Sequence, residues 1–249
     1  MGPATIIALA CLTLMGFCVM ADDQIVKTDG TIITGQIIGV SGDQVMVQGS
    51  TSGGGISRVP YYLSDVKSIK MAVPAEVIKV QKPGVSPGVV IGTLEPVVKQ
   101  FAGLPAPWVV DAMAQLGDNY SQVGMVEKAQ AIYNQIGLLY PNSVYENVAK
   151  ASQAELSFEA GRIDEALAVV QPIVDQANKD IAPSPADGAI YAKAFLVYGK
   201  ALAAQKKPQK ALEAFLTVKT MFYQNPNLVA QADQLAQTLR DHNPGLGIE

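Results

Sequence analysis

The stretch that decides the fold is "WVVDAMAQLGDNYSQVGMVEKAQAIYNQIGLLYPNS", residues 108–143. Small, aromatic and turn-forming residues recur in it at fixed spacings, namely Leu116, Gly117, Tyr120, Gly124, Ala129, Tyr133, Ile136 and Pro141. Small residues let two helices cross closely, aromatic residues fill the space between them, and glycine and proline allow the turns. The spacing therefore predicts two antiparallel helices joined by a short turn.

The same register occurs twice more, in residues 148–174 and 194–222. The helix-crossing alanines of the three copies are 37 and 45 residues apart, namely Ala129, Ala166 and Ala211. This pattern resembles the tetratricopeptide repeat (TPR) family, in which the unit is about 34 residues long. The resemblance implies a TPR superhelix over residues 106–249, with loops inserted between three repeats. A last helix over residues 227–240 would then be the cap that such arrays need.

A different pattern, alternating β-branched and polar residues, covers the chain before the repeats. Asp29-Gly30 lies between two such runs, which is a strong hairpin signal. The spacing of turns predicts five short strands in residues 22–73, closed into a small barrel. This module resembles the Sm-like and SH3-like barrels. The predicted fold class is α+β multidomain, a small N-terminal β barrel followed by an all-α TPR superhelix.

Residues 74–105 connect the two parts and allow two interpretations. The stretch "VVIGTLEPVVKQFAGLPAPW", residues 89–108, is rich in glycine and proline, which favours a linker. However, Val90, Leu94, Val97 and Phe101 follow the apolar register of the second helix of a repeat. That register predicts a degenerate repeat with a helix over residues 86–102, although Pro96 costs about 3 kcal/mol or more inside a helix.

Residues 1–21 contain no charged side chain and are followed by Asp22 and Asp23. The apolar run ends in small residues, which is typical of a secretory signal peptide. A retained membrane anchor is the alternative, and lipidation at Cys11 or Cys18 is a weaker one because neither lies in the usual motif. Each reading predicts an exported protein of the periplasm or cell envelope, which would contact a membrane only if this segment is retained.

Composition argues against catalysis and against nucleic-acid binding. The net charge is −4, the only histidine is His242, and both cysteines lie within residues 1–21. Nucleophile, metal-ligand and cofactor motifs cannot be assembled from this set. The β module has four basic and five acidic side chains, so it lacks the cationic surface that RNA binding requires. The sequence therefore predicts no catalytic, cofactor or metal site and no nucleic-acid partner.

The TPR resemblance implies a concave groove lined by the first helix of each repeat, which would bind a protein or peptide. By repeat register the groove candidates are Asp111, Ala114, Asp118, Gln122, Ala151, Glu155, Glu159, Lys193, Leu196 and Lys200. Their charges change from acidic to basic along the array, which would suit a partner with both charge signs. The alternative is that they form only the solvated face of each helix.

The function predicted from these features is a non-catalytic scaffold or adaptor of the cell envelope. Its partner would bind in the groove, on the β module, or on both. An alternative is an accessory subunit of an energised envelope complex, and an Sm-like nucleic-acid-binding protein or an enzyme is less favoured.

Overall fold

The computed structural model describes residues 23–50, 54–82 and 84–247. Within these residues a five-stranded antiparallel sheet is followed by nine α-helices, so the chain has α+β architecture. The strands are β1 (Asp23–Lys27), β2 (Ile32–Ser41), β3 (Gln44–Ser50), β4 (Ile56–Tyr62) and β5 (Val66–Lys70). The helices are α1 (Ala75–Val80), α2 (Pro87–Phe101), α3 (Pro107–Gln122), α4 (Val126–Leu139), α5 (Val144–Glu159), α6 (Ile163–Ala177), α7 (Pro185–Ala204), α8 (Pro208–Met221) and α9 (Pro226–His242).

The sheet has the strand order β4-β3-β2-β1-β5 and bends along β2. The first half of β2 pairs with β1, and its second half pairs with β3. The register of the second pairing shifts between Ile37 and Gly39, which is the irregularity expected where a strand changes direction. The sequence predicts five strands closed into a barrel. The described residues form five strands in a bent antiparallel sheet, with β4 and β5 as its outer strands.

The sheet is joined to the helices through one continuous apolar core. The buried residues of this core include Ile25, Ile37, Val45 and Val47 from the sheet and Val77, Leu94, Val98, Trp108 and Met113 from α1–α3. At Gly39 the backbone of β2 approaches α2 so closely that a Cβ there would lie 2.8 Å from the carbonyl oxygen of Gln100. The side-chain amide of Gln100 donates a hydrogen bond of 2.9 Å to the carbonyl of Ile38.

The segment with two interpretations is helical. Helix α2 contains Pro96 in its interior and buries Val90, Leu94, Val97 and Phe101 on one side. Its outer surface is tied to the next two helices by Glu95, which accepts hydrogen bonds from the Tyr120 hydroxyl and, at 3.2 Å, from the Lys128 ammonium group. The burial of these apolar side chains and the hydrogen bonds of Glu95 offset the free-energy cost of the internal proline.

The remaining helices pack in consecutive pairs, α3 with α4, α5 with α6 and α7 with α8. The first helices of the pairs also contact one another in order, since α3 contacts α5, α5 contacts α7, and α7 contacts α9. Within two pairs the crossing point is a glycine. A Cβ on Gly117 would lie 2.5 Å from the ring of Tyr133, and one on Gly199 would lie 2.5 Å from the ring of Phe215.

These elements fall inside the segments predicted from the sequence, and the segment boundaries themselves stay predictions. The strands and the helices α1 and α2 lie within 22–73 and 74–105, and α3–α9 lie within 106–249. The predicted signal peptide, residues 1–21, lies outside the described residues. Over the described residues, no helix is long and apolar enough to cross a membrane.

Candidate functional site

A cavity of about 370 Å³ lies between the first helices of the three pairs. Helices α3, α5 and α7 supply most of its lining, with one residue from α4 and two from α9. The lining residues are Asp118, Asn119, Ser121, Gln122, Tyr133, Ser152, Glu155, Leu156, Glu159, Lys193, Leu196, Leu228 and Gln231. Polar side chains dominate, and three leucines add apolar surface. A polar wall of this kind differs from the wall of an empty packing defect, which is apolar.

Repeat register explains why these side chains meet. Asp118, Glu155 and Lys200 each follow the residue at which their helix crosses its partner, which is glycine or alanine. Gln122 and Glu159 lie one helical turn further on, at equivalent positions of α3 and α5. Because α3, α5 and α7 contact one another in order, equivalent positions are brought to one face.

Lys193 is the centre of the charged network in the cavity. Its ammonium group lies 2.9 Å from Asp118 Oδ1, 2.7 Å from Ser152 Oγ and 3.6 Å from Glu155 Oε2. Lys200 approaches the same glutamate from α7, with 2.9 Å between Nζ and Glu155 Oε1. One lysine of α7 therefore connects α3 and α5, and a second lysine strengthens the contact with α5.

Neighbouring opposite charges shift the pKa values of Lys193 and Glu155 in the directions that favour their charged forms. Burial alone would lower the pKa of Lys193, but the carboxylates of Asp118 and Glu155 outweigh that effect and raise its pKa. Burial would likewise raise the pKa of Glu155, but Lys193 and Lys200 hold it below its ordinary value. At neutral pH Lys193 and Glu155 are thus both ionised, and each lies beside an opposite charge.

The network does not have the properties of a nucleophile and its base. Ser152 lies within hydrogen-bond distance of Lys193, which is the arrangement of a serine–lysine dyad. However, a lysine held between two carboxylates stays protonated and cannot accept the serine proton. Ser152 is also only 1% exposed, so a substrate could not reach its hydroxyl.

Tyr133 supports the cluster from the second helix of the first pair. Its hydroxyl donates a hydrogen bond of 2.6 Å to Asp118 Oδ1, the oxygen that also contacts Lys193. Burial, with the nearby Asp118 charge, raises the pKa of Tyr133, so the phenol remains a donor. The bond orients the Asp118 carboxylate toward Lys193.

The structure brings five of the seven charged or amide groove candidates to the cavity wall, namely Asp118, Gln122, Glu155, Glu159 and Lys193. Lys200 contacts the cluster through Glu155, whereas Asp111 is exposed on α3 and is not among the lining residues. Of the apolar candidates, Leu196 lines the cavity, and Ala151 is fully buried in the core.

The charge gradient expected along the groove takes a different form in the structure. The two lysines that would make one end basic are paired with the carboxylates of the other helices. Their long side chains reach across the helix contacts, so opposite charges cancel within the protein. The groove therefore does not present two oppositely charged ends to solvent.

Sequence reasoning missed several contributors to the site. Ser152 is one of two buried polar residues among those described, and its apolar-facing register gave no sign that Lys193 would bind it. Leu228 and Gln231 reach the cavity from α9, which the sequence assigned only to capping. Nothing in a repeat pattern indicates that a cap also closes the end of the groove.

Other predicted features lie away from this cavity. The terminal His242 is exposed, and its ring nitrogen Nδ1 lies 2.7 Å from the carbonyl oxygen of Thr238. In the β module Tyr61 packs partly against the core, while Tyr62 is 53% exposed. Over the described residues, no group of three or more histidine, cysteine, aspartate or glutamate side chains could hold a metal ion.

Comparisons with known proteins identify no family for this chain. No family model matches it, and no curated protein matches its sequence. Among solved structures it is similar to one described as "MamA RS-1 ArsTM double mutant", with 14% sequence identity and a TM-score of 0.39. The match covers 70% of this chain and 99% of the other chain. Since the similarity is this low, functional interpretation depends on the residues of the cavity described above.

Proposed function

We propose that this chain is a non-catalytic scaffold of the TPR type that binds a segment of a partner protein in the cavity between α3, α5 and α7. The observation that carries the proposal is the convergence of equivalent repeat positions on one cavity of about 370 Å³. A packed core would not need an ionised, hydrogen-bonded wall, whereas a recognition surface does. The repeat spacing of the sequence supports the same interpretation.

The chemistry of the wall supports binding rather than turnover. Its lysine, Lys193, is held as a protonated cation by two carboxylates, and its serine, Ser152, is buried. Fixed, paired charges provide rigid hydrogen-bonding geometry, which lowers the cost of ordering a bound partner. The proposal places the β module beside the array as a second contact surface, supported by the core that it shares with α1–α3.

The proposal includes export to the periplasm or cell envelope, which rests on the apolar residues 1–21 alone. Mass spectrometry of the mature N-terminus in the native cells tests it. A chain beginning at residue 22 is expected, because Val19 and Ala21 occupy the −3 and −1 positions before that bond. An intact chain recovered from the cytosolic fraction would contradict export.

The test of the binding function is crosslinked capture of partners from the native envelope. The variant carries Gln122→Lys and Glu159→Lys, because both side chains line the cavity, are exposed and form no ion pair among the described residues. The expected result is loss of at least one partner that the unchanged protein captures reproducibly. Loss follows from two added cations on the rim of the groove.

A matched control has the same types of substitution away from the cavity, at Glu127→Lys and Gln224→Lys. Both positions are exposed and are not lining residues of the cavity. The control should retain every partner, and both variants should unfold at the temperature of the unchanged protein. A partner list unaffected by the groove variant contradicts the proposed use of the groove.

A further inference from the structure

We infer that the cavity binds a basic amphipathic segment of the partner, with a cationic side chain at the acidic rim and an apolar side chain against the leucines. This inference rests on the proposed function and specifies the chemistry of the occupant. It follows from a difference between the cations and the carboxylates of the cavity wall. The ammonium groups of the lysines are occupied by contacts within the protein, whereas part of the carboxylate surface remains accessible to a ligand.

The lysines are not available to an anionic ligand. The side chains of Lys193 and Lys200 are 19% and 23% exposed, and both form ion pairs within the protein. Lys193 also contacts Ser152, so its ammonium group has three polar neighbours. An anion would have to displace a carboxylate from a lysine, which returns a buried charge to an unpaired state.

The carboxylates keep acceptor capacity that faces the cavity. Asp118 is 48% exposed, and both its bond from Tyr133 and its contact with Lys193 use the single oxygen Oδ1. Glu159 is exposed and forms no ion pair with another described residue; its Oε2 accepts a hydrogen bond of 3.1 Å from Ser121. Each ionised carboxylate has about four acceptor positions, so both can bind a cation.

The apolar part of the wall lies beside these carboxylates. Leu156 and Leu196 are 4% and 3% exposed and belong to α5 and α7, while the partly buried Leu228 comes from α9. Because Leu156 and Leu196 are almost covered, a side chain inserted there would make its apolar contact chiefly with Leu228, without displacing a charge. A partner that combines an arginine or lysine with a leucine-like residue therefore complements both parts of the wall.

The test uses the purified full-length protein and three fluorescently labelled peptides of equal length. The first alternates leucine with arginine, the second replaces each arginine with glutamate, and the third replaces each leucine with serine. Fluorescence anisotropy at low salt should show the tightest binding for the first peptide. Binding should be about ten-fold weaker for the other two, and it should weaken as salt screens the charges.

Two protein variants locate the binding site. Glu159→Gln should weaken the leucine–arginine peptide by about two- to five-fold, which is the usual effect of one exposed ion pair. Glu127→Gln, a charge change of equal size on α4, should leave its affinity unchanged. Both positions are exposed, so neither variant should lower the unfolding temperature.

Each contrary result has a distinct meaning. Equal or tighter binding of the leucine–glutamate peptide overturns the inference, because the lysines would then be the recognition groups. Failure of all three peptides also overturns it, while the proposed function stands if the native partner is still lost from the Gln122→Lys and Glu159→Lys variant. Loss of affinity in Glu127→Gln equal to that in Glu159→Gln would show only non-specific attraction and overturns the assignment to this cavity.

Discussion

Two of the helix pairs cross on a glycine, and the middle pair crosses on an alanine. In α3–α4 the backbone of Gly117 lies against the ring of Tyr133, and in α7–α8 that of Gly199 lies against the ring of Phe215. Both rings are almost fully buried. A large side chain on the second helix is therefore matched by the smallest residue on the first, at the density usual for protein interiors.

The middle pair has a slightly larger residue on its first helix and a smaller one on its second. Ala154 and Val170, at the equivalent positions of α5 and α6, are fully buried in one small apolar cluster. The next residue of α5, Glu155, accepts contacts from Lys193 and Lys200 of α7. The comparison teaches that a crossing accepts either a large ring against glycine or a smaller side chain against alanine, and that the ion pairs of Lys193 and Lys200 connect different helix pairs rather than the two helices of one pair.

The largest expected effect comes from removing the aromatic side chain of an outer pair. Phe215→Ala should lower the free energy of unfolding by about 3–5 kcal/mol, because it deletes a buried ring and leaves a cavity beside Gly199. Val170→Ala in the middle pair removes only two methyl groups and should cost about 2 kcal/mol. Urea unfolding followed by circular dichroism measures both values. Equal losses would show that the two crossings do not differ in buried volume.

The second effect concerns the ion pairs that connect Glu155 of the middle pair to the lysines of α7. Glu155→Gln should lower the free energy of unfolding at pH 7 by about 1.5–3 kcal/mol, because two lysines lose their shared charged acceptor. Asp175→Asn on α6 is the control, since its exposed carboxylate accepts only a hydrogen bond from Gln171 and should cost less than 1 kcal/mol. A loss from Glu155→Gln no larger than the control would contradict a stabilising role for the network.

The same substitution has a defined pH dependence. The pKa of Glu155 is lowered in the folded protein from its ordinary value of 4.5, so its stabilisation is present above pH 4.5 and is lost as the pH falls through the folded pKa. The raised pKa of Lys193 affects stability only at alkaline pH, as the pH rises through it. The difference between the unchanged protein and Glu155→Gln should therefore shrink below pH 4.5, measured as unfolding temperature against pH. A constant difference down to pH 2 would contradict this cause.

The third prediction is that replacing glycine by alanine changes the free energy of unfolding in opposite directions at two positions. Gly199→Ala adds a methyl group 2.5 Å from the Phe215 ring and should destabilise the protein by about 1–3 kcal/mol. Gly137→Ala in α4 adds the same group where no heavy atom lies within 4 Å, and it should stabilise by about 0.4–1 kcal/mol. Chemical unfolding of both variants gives the comparison.

A double variant tests whether the volumes compensate. Gly199→Ala with Phe215→Val reproduces the alanine and valine of the middle pair. It should lose less stability than the sum of its two single substitutions, because the smaller side chain makes room for the new methyl group. Additive losses would show that the crossing distance, rather than the paired volume, is fixed.

The crossings could be predicted from the sequence because they depend on residue size at fixed offsets. The spacing predicts that Gly117 lies where the two helices cross closely and that Tyr133 fills the space between them, and the apolar register predicts the helix α2. The charged network could not be predicted in the same way. Lys193 lies seven residues before Lys200 and contacts both Asp118 of α3 and Glu155 of α5, and a repeat register does not encode that reach.

Contacts between distant parts of the chain were missed for a similar reason. The Glu95 carboxylate meets Tyr120 and Lys128 only because α2 packs beside α3 and α4. Gln231 reaches the cavity because the last helix packs against α7 as well as α8. Such contacts depend on how whole helices are placed, so local spacing predicts the elements and leaves their polar connections open.

The smallest expected loss of stability distinguishes the aromatic residues of the two outer pairs, which differ by one hydroxyl group. Tyr133→Phe makes the first crossing resemble that of α7–α8 and removes the hydrogen bond to Asp118 Oδ1. The free energy of unfolding should fall by about 1 kcal/mol, because Asp118 is half exposed and water can replace the lost donor. The ring remains, so the crossing at Gly117 should be unchanged, and the near-ultraviolet circular dichroism should keep its shape. Because the hydroxyl also orients the Asp118 carboxylate, the leucine–arginine peptide should bind slightly more weakly to Tyr133→Phe. A loss of unfolding free energy as large as that of Phe215→Ala would mean that the hydroxyl, and not the ring, holds this crossing together.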